Sequence, residues 1–576
     1  MIILFVSSNA FAQTLDQYLD SAETNGNAGN YKGVIRNLNE AIKMDSSIAL
    51  SYLHRGMAKM NLTQFQDAIL DFNKVIVLSP NDSLGYYYRG FSKGNLNQYE
   101  EAVKDFDECI KINPQSADAY EARGVVKGFL EQYMAAITDF TEAIRLNPQS
   151  AHAFTERGLA KARLNKNEDA IVDCDEAIRI NPQSDDAYVT RGIAKNNLTN
   201  YDDAIADYKQ AIKLNPSNPS AFYNLGVANV FLKSYDEAII NYNEAIKLKP
   251  KYFEAWLNRG ITKMYNNNIT KALTDFDEAI RLNPQSSVAY NNRGITKLNL
   301  KQYDEAIADF DHAIALNPKY AEVFCNKGLT EFYQQHYNKA IAFYTAAIKI
   351  NPEIAIAYND RGLAQAGLHN FEDAVSDYTK AIKLSPQLVT FYLNRGIARN
   401  YLKRYEDALI DLNEVIYLDP KNVQAYDNRG LAENNLKKYN EAISDFNFVL
   451  AINSKDAAAY SYRAYAYLEL KNYKQGIDDC DKAIQLFPNN SVAYGNRAYM
   501  KDAIGQYEDA INDYNKVLAI TPDAALTYNY RGYTYLKLKN YKQAIADYDQ
   551  GIKIGGATFK PDLQYRDDAV KALNAN

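Results

Sequence analysis

The chain has 576 residues, 47% of them hydrophobic and 23% charged, and its 64 basic and 71 acidic side chains give a formal net charge of −7. These ordinary values exclude a disordered chain. The sequence has no basic stripe, which argues against a nucleic-acid partner. No stretch of about 18 apolar residues occurs, so no membrane-spanning helix is expected.

The first residues read MIILFVSSNAFAQT, in which a short apolar run (Ile2 to Val6) precedes an Ala-x-Ala-like cleavage site at Ala10 to Ala12. No basic residue precedes Lys32. We interpret residues 1–12 as a truncated signal peptide whose start lies upstream. This predicts an exported bacterial protein, in the periplasm, the cell envelope or outside the cell. A short disordered tail on a cytoplasmic protein is the alternative.

Two residue types then recur with a period of 34. Pro recurs from Pro80 to Pro522, with one double step across Ser454, and Gly recurs from Gly56 to Gly430. The Gly column continues as Ala464, Ala498 and Gly532. A fixed period of this length is typical of a tandem array of supersecondary units. With the Gly column set as position 8, sixteen repeats begin at Leu15 and cover residues 15–558.

Each repeat predicts a helix, a turn and a second helix, which we call helix A and helix B. In the ninth repeat, residues 287–320, apolar residues follow helical spacing from Tyr290 to Leu298 and again from Tyr303 to Ile314. Polar residues separate these two stretches. Pro318 ends the second helix, because proline lacks an N–H and disfavours helix in the residue before it.

The repeated columns are aromatic at position 4, Gly or Ala at position 8, Tyr or Phe at position 17, Ala at position 20, apolar at position 24 and Pro at position 32. This pattern resembles the tetratricopeptide repeat family. The resemblance implies an all-α, right-handed superhelical solenoid of about 16 helix–turn–helix units, whose inner groove is lined mainly by helix A. Ser46, Ser454 and Gly556 depart from the terminal Pro.

Residues 559–576 follow the last repeat, and Lys560-Pro561-Asp562 opens a helix that runs to about Leu573. We predict that this segment is a capping helix, which gives the last repeat a polar outer face. Eighteen residues are too few for an appended catalytic domain.

No catalytic or metal-binding pattern occurs in the sequence. The five His form no spaced pairs with each other or with Cys, and there is no Gly-rich phosphate loop. The four Cys lie at least two repeats apart and are predicted to be reduced and buried. Arg at position 7 recurs with Asp at position 23, which predicts a structural contact between helices A and B. We expect no enzymatic activity, no cofactor and no metal.

Position 6, on the face of helix A that the family turns inward, carries a row of amides. The row contains Asn224, Asn258, Asn292, Asn326, Asp360, Asn394, Asn428 and Asn496. An amide both donates and accepts hydrogen bonds, so such a row can bind the backbone of an extended peptide. It resembles the asparagine ladder in the repeat domain of O-linked N-acetylglucosamine transferase. The alternative is that Asn is simply a frequent, solvated residue at this position.

Tyrosines replace these residues in the last three repeats, at positions 6 and 9. The set contains Tyr462, Tyr465, Tyr499, Tyr530 and Tyr533. Tyr is enriched at recognition surfaces because it offers a large rigid contact with a polar tip. We predict an aromatic recognition patch, and closer packing of the terminal repeats is the alternative.

The sequence therefore predicts a non-catalytic scaffold or adaptor that binds extended segments of other proteins in the groove of helices A. A glycan-binding module using the C-terminal tyrosines is one alternative, and a regulatory subunit of an enzyme complex is another. The partner, the pathway and the oligomeric state are left open.

Overall fold

The computed structural model describes residues 14–555 and 563–575. Within these ranges the regular secondary structure consists of 33 α-helices, which confirms the all-α fold. The predicted signal peptide, residues 1–12, and the predicted opening of the capping helix at 560–562 lie outside the described residues. None of the described helices is long and apolar enough to cross a bilayer.

The chain forms two compact units, Met1–Gln285 and Ser286–Asn576. The helices of the first unit are α1 Leu15–Asn27, α2 Tyr31–Met44, α3 Ala49–Asn61, α4 Phe65–Leu78, α5 Ser83–Asn95, α6 Tyr99–Ile112, α7 Ala117–Phe129, α8 Tyr133–Leu146, α9 Ala151–Arg163, α10 Asn167–Ile180, α11 Asp185–Asn197, α12 Tyr201–Leu214, α13 Pro219–Phe231, α14 Tyr235–Leu248, α15 Phe253–Tyr265 and α16 Ile269–Leu282.

The helices of the second unit are α17 Ser287–Asn299, α18 Tyr303–Leu316, α19 Ala321–Tyr333, α20 Tyr337–Ile350, α21 Ala355–Gly367, α22 Phe371–Leu384, α23 Val389–Tyr401, α24 Tyr405–Leu418, α25 Val423–Asn435, α26 Tyr439–Ile452, α27 Ala457–Glu469, α28 Tyr473–Leu486, α29 Ser491–Ala503, α30 Tyr507–Ile520, α31 Ala525–Lys537, α32 Tyr541–Gly555 and α33 Leu563–Ala575. Odd-numbered helices from α1 to α31 are helices A, and the even-numbered ones are helices B. Within each unit every helix packs against the next one along the chain.

The ninth repeat illustrates how the sequence sets the helix ends. The Ser286 hydroxyl caps α17 by accepting a hydrogen bond from the backbone N–H of Ala289 at 3.2 Å. Lys301, in the turn between α17 and α18, has a φ of 60°, a left-handed conformation that ends a helix. Fourteen of the turns in the array place a residue other than glycine in this conformation at position 15.

The small residue at position 8 lets helices A and B approach closely. A Cβ atom built on Gly294 would lie 2.6 Å from Cε1 of Phe310, the aromatic residue at position 24 of the same repeat. The Phe310 ring is fully buried beside Ala306 and Ala313. The Gly column therefore marks the contact at which a buried ring of helix B lies directly against the backbone of helix A.

The predicted Arg–Asp pairing between helices A and B is confirmed and extends to the neighbouring repeat. In the eighth repeat Arg259 donates to both carboxylate oxygens of Asp275, from Nε at 3.0 Å and from Nη2 at 2.6 Å. Its Nη1 donates to Asn243, in helix B of the preceding repeat, at 2.6 Å. Lys263 Nζ lies 2.7 Å from the same aspartate. These cations and carboxylates thus hold the scaffold together.

Helix α33 packs on the last helix pair. Ala569 is fully buried beside Ala544 and Tyr548, and Arg566 Nε donates to Asp549 at 2.7 Å. Gln564 and Asp567 are exposed.

Candidate binding surfaces

One side of each helix A carries positions 2, 5, 6, 9, 12 and 13, because residues three or four apart lie on the same side of a helix. We call this side the helix-A face. Several cavities of the molecule are lined by residues of this face from two or three successive repeats. The two sets of residues predicted from the sequence, the position-6 amides and the C-terminal tyrosines, lie on it.

The position-6 amides are partly exposed, and each of the six Asn from Asn224 to Asn428 uses one N–H within the scaffold. Three donate to the carbonyl four residues earlier in their own helix, all at 2.8 Å: Asn224, Asn292 and Asn428. The other three donate to a side chain at position 5 of the preceding repeat, Asn258 to Tyr223 at 2.8 Å, and Asn326 to Asn291 and Asn394 to Asn359 at 2.9 Å. Among the described residues their Oδ1 atoms accept no hydrogen bond.

Two members of the row differ from these six. Asp360 accepts a hydrogen bond from Asn359 at 2.9 Å, and burial raises the pKa of its carboxyl group. The Nδ2 atom of Asn496 is buried and has no hydrogen-bond partner among the described residues. The six Asn of the row therefore each offer an acceptor and a second N–H donor, whereas Asp360 already accepts a hydrogen bond and the Nδ2 atom of Asn496 is buried.

Three of the five predicted tyrosines line one cavity of about 680 Å³, which we call the tyrosine cavity. Tyr465, Tyr499 and Tyr530 are 37%, 44% and 40% exposed. The rings of Tyr499 and Tyr530 meet edge to face with centroids 5.6 Å apart. Asn496 and Glu469 also line the cavity. It thus combines aromatic surface with hydroxyl, amide and carboxylate groups.

The other two predicted tyrosines lie elsewhere. Tyr462 is half-buried and packs on Phe446 with ring centroids 5.9 Å apart. Tyr533 packs on Tyr565 of α33 at 4.7 Å, and Lys537 Nζ lies 4.5 Å from the centre of its ring. The close packing of terminal repeats, which was the alternative from sequence, therefore describes these two residues.

Burial raises the pKa of two of the phenols that line the cavity. It raises the pKa of Tyr465 and of Tyr499, and neighbouring carboxylates and tyrosines add to the effect. Nearby, burial and a hydrogen bond to Glu469 raise the pKa of Tyr439 to about 12. The tyrosine hydroxyls can therefore both donate and accept hydrogen bonds.

Sequence reasoning missed a set of aromatic residues at position 13. They are 55% to 66% exposed, and each stacks on the aromatic residue at position 17 of the preceding repeat, with centroids 4.6 to 6.5 Å apart. The set contains Phe129, Phe231, Tyr265, Tyr333 and Tyr401. The signal was an aromatic residue in a column where six repeats carry Asn. Cavities of about 410 Å³ and 280 Å³ lie beside Phe129 and Tyr401.

Family models match most of the repeat array. A model described as TPR repeat matches residues 199–230, 232–265 and 503–539. Models described as tetratricopeptide repeat match residues 85–116, 128–185, 253–286, 287–320, 321–354, 359–423, 457–490, 480–512 and 525–554. Together these matches cover more than half of the chain, and the chain belongs to the tetratricopeptide repeat family. This fold supports a protein–protein interaction scaffold, and the family is typically non-catalytic.

Several solved structures are similar to the chain at low sequence identity. The APC/C hetero-tetramer Cut9-Hcn1 is 16% identical over 85% of this chain and 96% of that chain, with a TM-score of 0.45. Yeast Tom70 is 16% identical over 73% and 96%, with a TM-score of 0.35. A tetratricopeptide repeat protein from Parabacteroides merdae is 15% identical over 41% and 94%, with a TM-score of 0.37. No curated protein matches the chain.

Proposed function

We propose that the helix-A face binds extended segments of partner proteins and that the chain acts as a non-catalytic scaffold or adaptor. The observation that carries the proposal is the row of position-6 amides. Each of the six Asn is held by one N–H, while its Oδ1 and second N–H have no partner among the described residues. A group held in place before binding loses little conformational freedom when it binds.

The spacing of the row fits an extended ligand. Packed helices lie roughly 8–10 Å apart, and an extended chain rises about 3.3 Å per residue. Within each unit, one amide per repeat therefore corresponds to one contact about every three residues of the ligand. Because amides pair with backbone groups, these contacts do not depend on the sequence of the ligand, and the side chains around them must supply specificity.

The test is a pull-down with the full chain as bait, read by mass spectrometry. It is repeated with a variant in which Asn224, Asn258, Asn292 and Asn326 are all changed to Ala. Asn241→Ala is a matched control, because Asn241 makes the same 2.8 Å bond to a carbonyl four residues earlier, but on helix B. Partners lost only from the four-site variant, with helicity intact, support the proposal. Partners retained equally by all three baits would refute it.

A second candidate is favoured by the tyrosine cavity, which is lined by three exposed phenols together with Asn496 and Glu469. Aromatic faces beside hydrogen-bonding groups also suit a glycan. Calorimetric titration with soluble oligosaccharides distinguishes the two candidates. Sugar binding that is lost in the Tyr499→Ala variant supports the glycan site. If no sugar gives binding heat, the glycan candidate is rejected and the peptide proposal remains.

We also propose that the chain is exported, on the strength of the apolar run and the Ala-x-Ala-like site in residues 1–12. Sequencing the N-terminus of the protein purified from its native source tests this. A start at Gln13 supports export, and a retained Met1 contradicts it.

A further inference from the structure

The helix-A face of the first unit is strongly acidic. Its positions 2, 5, 6, 9, 12 and 13 hold eight carboxylates against one cation, Arg163, whereas the whole chain has 71 acidic and 64 basic residues. The carboxylates are Asp16, Asp20, Glu23, Asp118, Glu121, Glu156, Asp186 and Glu254. The cations of the eighth repeat at positions 7 and 11 are paired with Asp275, so they do not offset this charge.

Repeats 4 to 6 combine this charge with an apolar cavity. The cavity of about 410 Å³ is lined by Phe129, Tyr133, Phe140 and Leu159, and also by Glu156 and Arg163. We call it the Phe129 cavity. Phe129 is 65% exposed, and its ring is fixed in a parallel stack on Tyr99 with centroids 5.3 Å apart and an interplanar angle of 5°. A large apolar surface is thereby presented beside a carboxylate.

The Glu156 carboxylate is poorly compensated. Among the described residues its ion pair is with His152 Nε2 at 3.9 Å, while the other ring nitrogen of His152 lies 2.8 Å from Glu121. Ser150 donates to Glu121 at 2.8 Å, so that carboxylate is satisfied. Burial raises the pKa of Glu156, and repulsion by Asp186 and Glu121 adds to this effect, whereas His152 lowers the pKa. A positively charged group of a ligand would compensate the negative charge on Glu156.

Arginine and lysine side chains can contact both the exposed aromatic ring of Phe129 and the carboxylate of Glu156. A guanidinium group stacks on aromatic rings and forms strong hydrogen bonds with carboxylates. The chain itself contains such a stack, with Arg259 4.5 Å from the centre of the Trp256 ring. Arg163 opposes a cationic ligand, but Glu131 and Glu156 in the same cavity and Asp186 beside it outnumber it.

We propose that the Phe129 cavity receives a lysine or arginine side chain of an extended partner segment, so that the ligand of the helix-A face is a basic peptide. The inference rests on the proposed function, since it names the chemistry of the segment that the face binds. Asn224 and Asn258, the amides of the first unit, contact the backbone of that segment, and the cavity selects one of its side chains.

The test uses a random dodecapeptide library passed over the immobilised full chain, with retained peptides sequenced by mass spectrometry. We expect enrichment of Arg and Lys. The double variant Glu156→Gln, Asp186→Asn loses this enrichment and binds a selected peptide about tenfold more weakly, the effect of one charged hydrogen bond. Phe129→Leu, which keeps an apolar side chain, also weakens arginine peptides.

The matched control is Glu142→Gln, Glu176→Gln, which changes the charge equally but on half-buried positions of helices B in repeats 4 and 5, where both residues pair with arginines. It should keep the enrichment. Retained peptides without basic enrichment, or enrichment that survives the Glu156 variant, would overturn this inference and leave the proposed function standing. A library from which the chain retains nothing would count against both.

Discussion

The contact between position 8 and position 24 predicts that Gly294→Val destabilises the ninth repeat. The new Cβ would lie 2.6 Å from Cε1, 2.9 Å from Cδ1 and 3.0 Å from Cζ of Phe310. That ring is fully buried, so it cannot swing into solvent. Overpacking of this kind costs about 1–3 kcal/mol. Because the higher helix propensity of Val offsets up to ~0.5 kcal/mol of this cost, we expect a net loss of about 1.5 kcal/mol.

Hydrogen exchange of the amides in α17 and α18 measures this loss locally, which is necessary because a repeat array need not unfold in one step. Gly128→Val is the matched control. It is also a glycine inside a helix A, but no atom lies within 4 Å of the point that its new Cβ would occupy. Its opening free energy should therefore change by no more than about 0.5 kcal/mol.

The same substitution in a chain that also carries Phe310→Leu tests the contact further. In repeat 12 the equivalent contact joins Gly396 to Leu412, whose Cγ would lie 3.0 Å from the new Cβ. Gly294→Val should therefore cost less in a chain that already carries Phe310→Leu. Equal opening free energies for Gly294→Val and Gly128→Val, or an unchanged cost in the Phe310→Leu background, would refute the packing argument.

Three further predictions follow from the scaffold. Burial and the neighbouring Asp445 raise the pKa of Glu433, so folding favours its neutral form. Stability should therefore fall as pH rises from the unfolded value near 4.5 through the folded pKa. Denaturation at several pH values checks this, and the fall should be smaller in Glu433→Gln than in the unchanged chain. Thr199 has a φ of 63°, so Thr199→Gly should stabilise the chain by about 1 kcal/mol, measured by its denaturation midpoint, and a lower midpoint would contradict the turn geometry. Heat unfolding should be broad or split, because contacts are mainly between neighbouring repeats, whereas matching calorimetric and van't Hoff enthalpies would count against this.

Much of the scaffold could be predicted from the sequence, because the same packing contacts recur in nearly every 34-residue repeat. Three columns show this: Gly at position 8, Ala at position 20 and Pro at position 32. Each column is required by one structural constraint that is the same in nearly every repeat. The pairing of Arg259 with Asp275 was likewise visible as two columns that occur together. Spatial neighbours in such an array lie at fixed sequence offsets.

The turn conformation could not be predicted, because its usual signal was missing. Left-handed residues are mostly Gly or Asn, whereas position 15 holds residues such as Lys301 and Glu131 with φ near 60°. The turn geometry is therefore imposed by the packing of the two helices rather than by the residue itself. A single sequence shows this only through the constant length of the turn.

The candidate site was predicted less completely. Comparison of equivalent positions in successive repeats identified the position-6 amides. It did not show that each Asn donates one N–H to its own helix or to the preceding repeat, because that depends on the direction of the side chain. The tyrosines were treated as one patch, yet Tyr533 packs on α33. The aromatic residues at position 13 were not predicted, because they occur in only five of the sixteen repeats and therefore form no constant column.

The central claim is that partners bind the helix-A face, and one cross-linking experiment tests it most directly. Tyr401 and Tyr417 belong to the same repeat and are 66% and 79% exposed, but Tyr401 lies on the helix-A face and Tyr417 on helix B. Each is replaced in turn by a photo-reactive phenylalanine analogue, and the full chain is irradiated in an extract of its source. Partner segments cross-linked at position 401 and not at 417 are the predicted result. Cross-links confined to position 417, or equal at both positions, would contradict it.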